Sequence, residues 1–170
     1  MSTSPAKSAD DQTFMTRALE LAAQAARLGE VPVGAVVVCE NRVVGEGYNL
    51  RETDSDPLAH AEIRAIASAA EELGRWRLSD CTMYVTLEPC AMCAGALINS
   101  RMGRLVYGAA DPKAGAVHSL YQMLQDERLN HNLPVTSGVC AQTCGEVLKD
   151  FFRQLRADKK KLRDNNEKHG

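Results

Sequence analysis

The sequence lacks any long apolar run. Its most apolar stretch, Val31 to Cys39, is nine residues long and contains Pro32 and Gly34. A membrane helix needs about 20 apolar residues, so no membrane-spanning segment is expected. Residues 1–13 also lack the apolar core of a secretory signal, which points to a cytoplasmic protein. Internal repeats are absent, and so is any sign of a second domain. Neither sign of charge dominates, with a formal net charge of -2. Hydrophobic residues at 45% and charged residues at 25% give an ordinary soluble globular balance, which excludes a disordered chain, a collagen and a coiled coil. At 170 residues the chain suits one domain, large enough to fold without needing a disulfide or a metal for stability alone.

Charge and cysteine are present but unevenly placed. Residues 149–170 hold eight Lys and Arg against four Asp and Glu, leaving 12 against 18 in residues 1–148. A basic end on an acidic body permits contact with an anionic partner, though solvated basic helix ends are equally common. Six cysteines without an export signal read as thiols or metal ligands in a reducing compartment.

Periodicity organises the chain. Residues 1–11 are expected to be a flexible lead, 12–163 a single domain and 164–170 a polar tail. Phe14, Ala18, Leu21, Ala25 and Leu28 share one face of a helix that Gly29 ends. Val33–Cys39 and Arg42–Tyr48 read as a hairpin around Glu40-Asn41. Asp56-Pro57 signals a helix start, with the helix running to Leu73. Strands are expected at Thr82–Leu87, Arg104–Tyr107 and Val135–Val139. Helices are expected from Pro89 to Asn99, around Leu120–Leu124 and from Cys140 to Arg163. Strands alternating with helices predict an α/β, three-layer sandwich with a central sheet.

Two segments carry chemistry. His60-Ala61-Glu62 and Pro89-Cys90-Ala91-Met92-Cys93 each sit where a helix opens after an extended segment, the place where open α/β sheets form their sites. His60, Cys90 and Cys93 make a three-ligand zinc set that keeps a fourth position for water. Cys90 and Cys93 are three residues apart, so both sulfurs can project from one helical turn. Glu62 flanks the same cavity as a proton shuttle. Taken singly, each piece has a plainer reading: a helix-start carboxylate complementing the dipole, a redox C-x-x-C, or half of a four-ligand structural site completed by Cys39, Cys81, Cys140, Cys144, His118 or His131. Cys140 and Cys144 read better as core thiols.

H-x-E followed by P-C-x-x-C is the signature of the zinc nucleobase deaminases. The chain resembles that cytidine/deoxycytidylate deaminase superfamily and, within it, the bacterial tRNA-specific adenosine deaminases. The resemblance spans residues 12–160. It rests on Val31 to Ala35, Gly45 to Asn49, Asp56 to Glu62, Thr82 to Met102, Gly108-Ala109 with Asp111, and Asp150 to Arg153. It implies a five-stranded mixed sheet between helices, a homodimer, one zinc per subunit, and hydrolysis of the wobble adenosine of a tRNA anticodon stem-loop to inosine.

It further implies that Asn49 binds substrate, although an Asn there also suits a turn. Val33, Ala61 and Leu87 are expected to wall the base pocket. Of Phe151 and Phe152, one is expected in the core and the other, with Arg153, against a flanking nucleotide. Asp111, before Pro112, reads either as an acceptor for a ribose 2′-hydroxyl or as a turn residue. Two competing functions share the metal motif: a deaminase of free guanine, cytosine or deoxycytidylate, and an inactive zinc-stabilised scaffold. Glu62 argues against the scaffold, and the basic C-terminal helix favours RNA over a free base.

Overall fold

A computed structural model describes residues 9–169. The elements follow in the order α1 (Ala9–Arg27), β1 (Gly34–Cys39), β2 (Arg42–Tyr48), α2 (Ala61–Leu73), β3 (Cys81–Leu87), α3 (Ala91–Asn99), β4 (Arg104–Ala109), a short 3₁₀ turn at Met123–Gln125, β5 (Val135–Ser137) and α4 (Ala141–Lys168). The sheet order is β2-β1-β3-β4-β5. β1 lies antiparallel to β2 and β3, whereas β3, β4 and β5 run parallel. This is the expected three-layer sandwich around a five-stranded mixed sheet.

The period of two in β1 decides which helices cover which face. Ala35, Val37 and Cys39 point to the side covered by Ala61, Ala65 and Ala69 of α2 and by Ala94, Leu97 and Ile98 of α3. Val36 and Val38 point the other way, toward Met15, Ala18 and Leu21 of α1 and Cys144 of α4. A strand covered on both faces must be apolar throughout, and all six residues of β1 are buried. Gly47 lets α2 lie directly on β2, because a Cβ there would collide with the Ala61 carbonyl and the Ala65 amide. That contact brings the start of α2 to the end of β2, where the candidate site forms.

The short helix expected around Leu120–Leu124 is a 3₁₀ turn at Met123–Gln125, the last strand ends at Ser137 rather than Val139, and α3 starts at Ala91 rather than Pro89. Three further boundaries differ, each for a physical reason. The lead does not extend to residue 11: α1 begins at Ala9, while residues 1–8 lie outside the described residues. Asp11 is buried and bonds the Tyr84 hydroxyl at 2.9 Å and both terminal nitrogens of Arg104 at 3.0 and 2.9 Å. Those partners come from β3 and β4 and leave no local trace in the sequence.

Asp56-Pro57 does not open α2. The Asp56 Oδ1 accepts from the Leu58 amide at 2.9 Å in a side-chain-closed turn, and the helix starts only at Ala61 with His60 as its extended cap residue. Finally, α4 runs through Lys168 and takes in residues 164–168, expected as a polar tail. The segment after Phe152 is exposed, yet good helix formers without Gly or Pro continue the helix.

Candidate active site

Two chain segments meet beyond the ends of β2 and β3. His60 caps α2 and Cys90 caps α3, both in extended backbone. Cys93 follows in the first turn of α3 and is fully buried. The His60 Nδ1 lies 3.7 Å from the Cys90 Sγ and 3.6 Å from the Cys93 Sγ, and all three donor atoms lie within 4.8 Å of one another. A tetrahedral zinc with bonds of about 2.05 Å to nitrogen and 2.3 Å to sulfur has N···S edges of about 3.6 Å. The donor set therefore fits zinc in number, chemistry and spacing.

The electrostatics agree with a cation-binding cluster. The Cys93 thiol and His60 hold Cys90 down to about 4, while the bond to Cys90 and burial push Cys93 up. The bond to Cys90 also raises His60. Protons are thus shared unequally among three close ligands, an arrangement that a divalent ion replaces by ligating all three. Glu62, in the first turn of α2, is buried, and burial raises its carboxyl above the ordinary range. A carboxyl of raised pKa beside a ligand set can both take and return a proton near neutral pH.

These residues open into a cavity of about 230 Å³ lined by Val31, Val33, Asn49, Arg51, His60, Ala61, Glu62, Leu87, Glu88, Cys90, Asp111 and Ala114. That is below the roughly 300–1,000 Å³ of sites for drug-sized ligands, so it suits one heterocycle rather than a whole nucleotide. A second cavity of about 820 Å³ adjoins it, sharing Val31, Leu87 and Asp111. Its other walls include Lys113, Leu148, Lys149, Phe152, Arg153 and Arg156, which place four cations and an aromatic ring beside the mouth of the smaller one.

The residues expected from sequence fall into distinct places. Asn49, Val33, Ala61, Leu87 and Asp111 line the small cavity, and Phe152 and Arg153 line the large one. Phe151 lines neither; half-buried, it meets Phe152 edge-on with ring centroids 5.4 Å apart. Asn49 donates from Nδ2 to the Val31 carbonyl at 3.3 Å and accepts at Oδ1 from the Arg51 amide at 3.1 Å. One amide hydrogen and one lone pair remain beyond these bonds. The Asp111 Oδ1 accepts from the Lys113 and Ala114 amides at 3.0 and 3.2 Å, so the turn role is present alongside its place at the junction of the cavities.

Sequence reasoning missed two buried carboxylates. Glu88 accepts backbone bonds from Asp111, Val117, His118 and Ser119 at 2.9–3.2 Å, and a further bond from the Ser119 hydroxyl. Against the cost of burial, these donors hold its carboxyl down to about 2. It pins the 111–119 loop, and with it Asp111 and Ala114, against the start of α3. Glu30 does the same for the loop after β2, accepting from the Thr53 amide at 2.6 Å and hydroxyl at 2.9 Å. The one available signal was position: Glu88 immediately precedes Pro89-Cys90 at the mouth of the site.

Comparison with known proteins agrees with this geometry. Residues 9–156 match the family model described as MafB19-like deaminase. The chain is 49% identical over 161 residues to a tRNA-specific adenosine deaminase of Haemophilus influenzae, covering 94% of this chain and 93% of that protein. It is 48% identical over 155 residues to the enzyme of that name from Bacillus subtilis, covering 91% and 96%. A solved structure from a study of A-to-I editing by tRNA:A34 deaminases superposes with a TM-score of 0.77 at 43% identity, over 80% of this chain and 99% of that one. With its H-x-E and P-C-x-x-C segments brought together at one cavity, the chain belongs to the MafB19-like deaminases, among the bacterial tRNA-specific adenosine deaminases.

Proposed function

We propose that the protein hydrolyses adenosine to inosine at the wobble position of a tRNA anticodon, with one zinc per subunit held by His60, Cys90 and Cys93. The observation that carries this reading is the pairing of a one-base cavity containing Glu62 with an adjoining basic groove. Bound zinc supplies Lewis acidity, which makes water a nucleophile near neutral pH.

The chain's own residues do the rest. Glu62 takes a proton from the attacking water and delivers it to a ring nitrogen; it then takes the remaining proton of the added hydroxyl and passes it to the amine, so that the C–N bond breaks, ammonia leaves and a carbonyl remains. Val33, Ala61 and Leu87 hold the flat faces of the base, and the free hydrogen and lone pair of Asn49 meet the base or ribose edge. The target must leave its stack to reach Glu62, which is least costly in a single-stranded loop. Phe152 and Arg153 meet a flanking nucleotide by stacking and charge, with Lys113, Lys149 and Arg156 near the phosphates. Phe151 supports Phe152.

The same reading includes a homodimer working in the cytoplasm. Among the described residues no helix is long and apolar enough to cross a membrane, and Leu120 and Tyr121, in the loop after β4, expose apolar surface suited to a second copy. Sedimentation tests the dimer: a monomer at micromolar concentration with full activity would remove it. Zinc reconstitution followed by incubation with an anticodon stem-loop carrying adenosine at position 34 tests the chemistry. One zinc per chain and inosine at that position are expected; zinc-replete protein that leaves the adenosine intact contradicts it.

A further inference from the structure

A second group of sulfur and oxygen donors lies at the opposite end of the sheet from His60. Cys39 is the last residue of β1 and Cys81 the first of β3, and they stand directly opposite in the antiparallel pairing. The Cys81 amide donates to the Leu78 carbonyl at 3.0 Å, and the Cys81 carbonyl accepts from Gly103 at 3.0 Å. On the other side, Cys39 faces Arg42 across a two-residue turn in which Glu40 and Asn41 have φ of 49° and 63°. That turn directs the Cys39 backbone groups toward β2.

Cys39 and Cys81 therefore form a non-hydrogen-bonded pair, the kind whose Cα atoms approach to about 4.5 Å with side chains close together. This lies within the Cα range of about 4.4–6.8 Å that a disulfide requires. Their sulfurs lie on the same face and within 4.8 Å of each other.

We propose that Cys39 and Cys81 are a redox-active dithiol that closes into a cross-strand disulfide on reaction with a hydroperoxide. The surroundings assign the roles. Arg75 holds both oxygens of Asp80 at 2.7 and 2.9 Å, and the same nitrogen reaches the Cys39 Sγ at 3.9 Å. Both thiols donate to Asp80, Cys39 to Oδ2 at 3.6 Å and Cys81 to Oδ1 at 3.5 Å; Cys39 also meets the Arg75 guanidinium and is the more exposed of the two, which makes it the attacking member. Burial and the neighbouring Cys39 push the Cys81 thiol up to about 12, so Cys81 keeps its proton until the second step. Cys39 and Cys81 are 7% and 1% exposed, which favours a small oxidant over a bulky disulfide.

The Cys39 sulfur attacks one peroxide oxygen; the O–O bond breaks, and the leaving oxygen departs as water or an alcohol. The resulting sulfenic acid is attacked by the Cys81 sulfur. The S–S bond forms, the S–O bond breaks, and the second oxygen leaves as water with the Cys81 proton. Two thiols lose two electrons in all, and one hydroperoxide gains them. Asp80 completes a metal-like trio with these sulfurs, but its two oxygens already accept from Arg75 as well as from the thiols, and the Arg75 charge opposes a cation.

The proposal is independent of the deaminase reading, since the pair lies away from the cavity lined by His60 and Glu62. Zinc-loaded protein is treated with a small excess of hydrogen peroxide, alkylated under denaturing conditions, digested and mapped by mass. The peptides holding Cys39 and Cys81 should emerge joined, about 2 Da below the sum of the reduced pair, and separate again with dithiothreitol. In Cys81→Ser, Cys39 should be captured as a sulfenic acid by dimedone without a bridge. Wild-type peptides recovered separately, whether alkylated or over-oxidised, would overturn the proposal. So would a second zinc equivalent that disappears in Cys39→Ser, which would make the group a metal site.

Discussion

The two adjoining cavities are built on opposite principles. The small one is assembled from five separate stretches of chain, and several of its polar groups are bonded in place: Glu62 is buried beside Cys93, Glu88 is buried and takes five donors, and the half-buried Asn49 bridges Val31 and Arg51. The large one takes much of its wall from a single helix, α4, whose exposed Arg153 pairs with the equally exposed Asp150 at 3.1 Å. Groups bonded in place hold a geometry to the precision that chemistry needs. Exposed charges on a helix attract phosphate backbone without fixing its position closely. On the proposed reading, the small cavity sets the rate and the groove the affinity.

Substitutions on the two sides should separate accordingly. Glu62→Gln should have the largest effect on turnover, about 10²–10⁴-fold or more in kcat because one group serves several proton transfers, with zinc retained. Near-normal turnover in the zinc-replete variant would show that another group moves the protons. Glu88→Gln should act first on stability. Its amide nitrogen would face backbone N–H groups, and a carboxylate held down to about 2 from an ordinary 4.5 is worth about 3 kcal/mol at neutral pH.

Because the folded carboxyl titrates below its unfolded value, this stabilisation is complete above about 4.5 and is lost as pH falls toward 2. Urea unfolding of wild type and variant across that window should show the difference shrinking; a constant difference would mean that packing, not charge, is responsible.

The contrast also explains what could be read from the sequence. The convergence of His60, Glu62, Cys90 and Cys93 was legible because metal chemistry restricts residue type and spacing, and the β1 run because a doubly covered strand is apolar throughout. Glu88, Glu30 and Asp11 were not, since a buried carboxylate looks like any other Glu or Asp until its donors arrive from distant residues, as Ser119, Thr53 and Arg104 do here. Asp56-Pro57 misled in the opposite direction: the residue types that cap a helix also close a side-chain turn, and only the packing of α2 on Gly47 fixes where the helix starts. The Cys39–Cys81 pairing depended on strand register, which separation in sequence does not reveal.

Effects in the groove should be smaller. Arg153→Ala should raise KM for an RNA stem-loop several-fold with little change in kcat, and should lower the slope of log affinity against log salt by about 0.7. An unchanged salt slope would take Arg153 off the RNA path. Smallest of all is Asp111→Asn. An Asn Oδ1 can still accept from Lys113 and Ala114, so the turn survives while the charge and the strong acceptor for a 2′-hydroxyl are lost. Activity on a single-stranded DNA hairpin should rise relative to RNA; an unchanged ratio would leave Asp111 as a turn residue.

The division of labour between cavity and groove is tested most directly by offering one adenosine in two contexts. Zinc-loaded protein is given an anticodon stem-loop with adenosine at position 34 and, separately, free adenosine, with guanine and cytidine as further free substrates, and kcat/KM is measured for each. Efficient inosine formation in the stem-loop, with negligible turnover of the free compounds, is the predicted result. Comparable or greater turnover of a free base or nucleoside would contradict it, leaving the groove without a role in substrate choice.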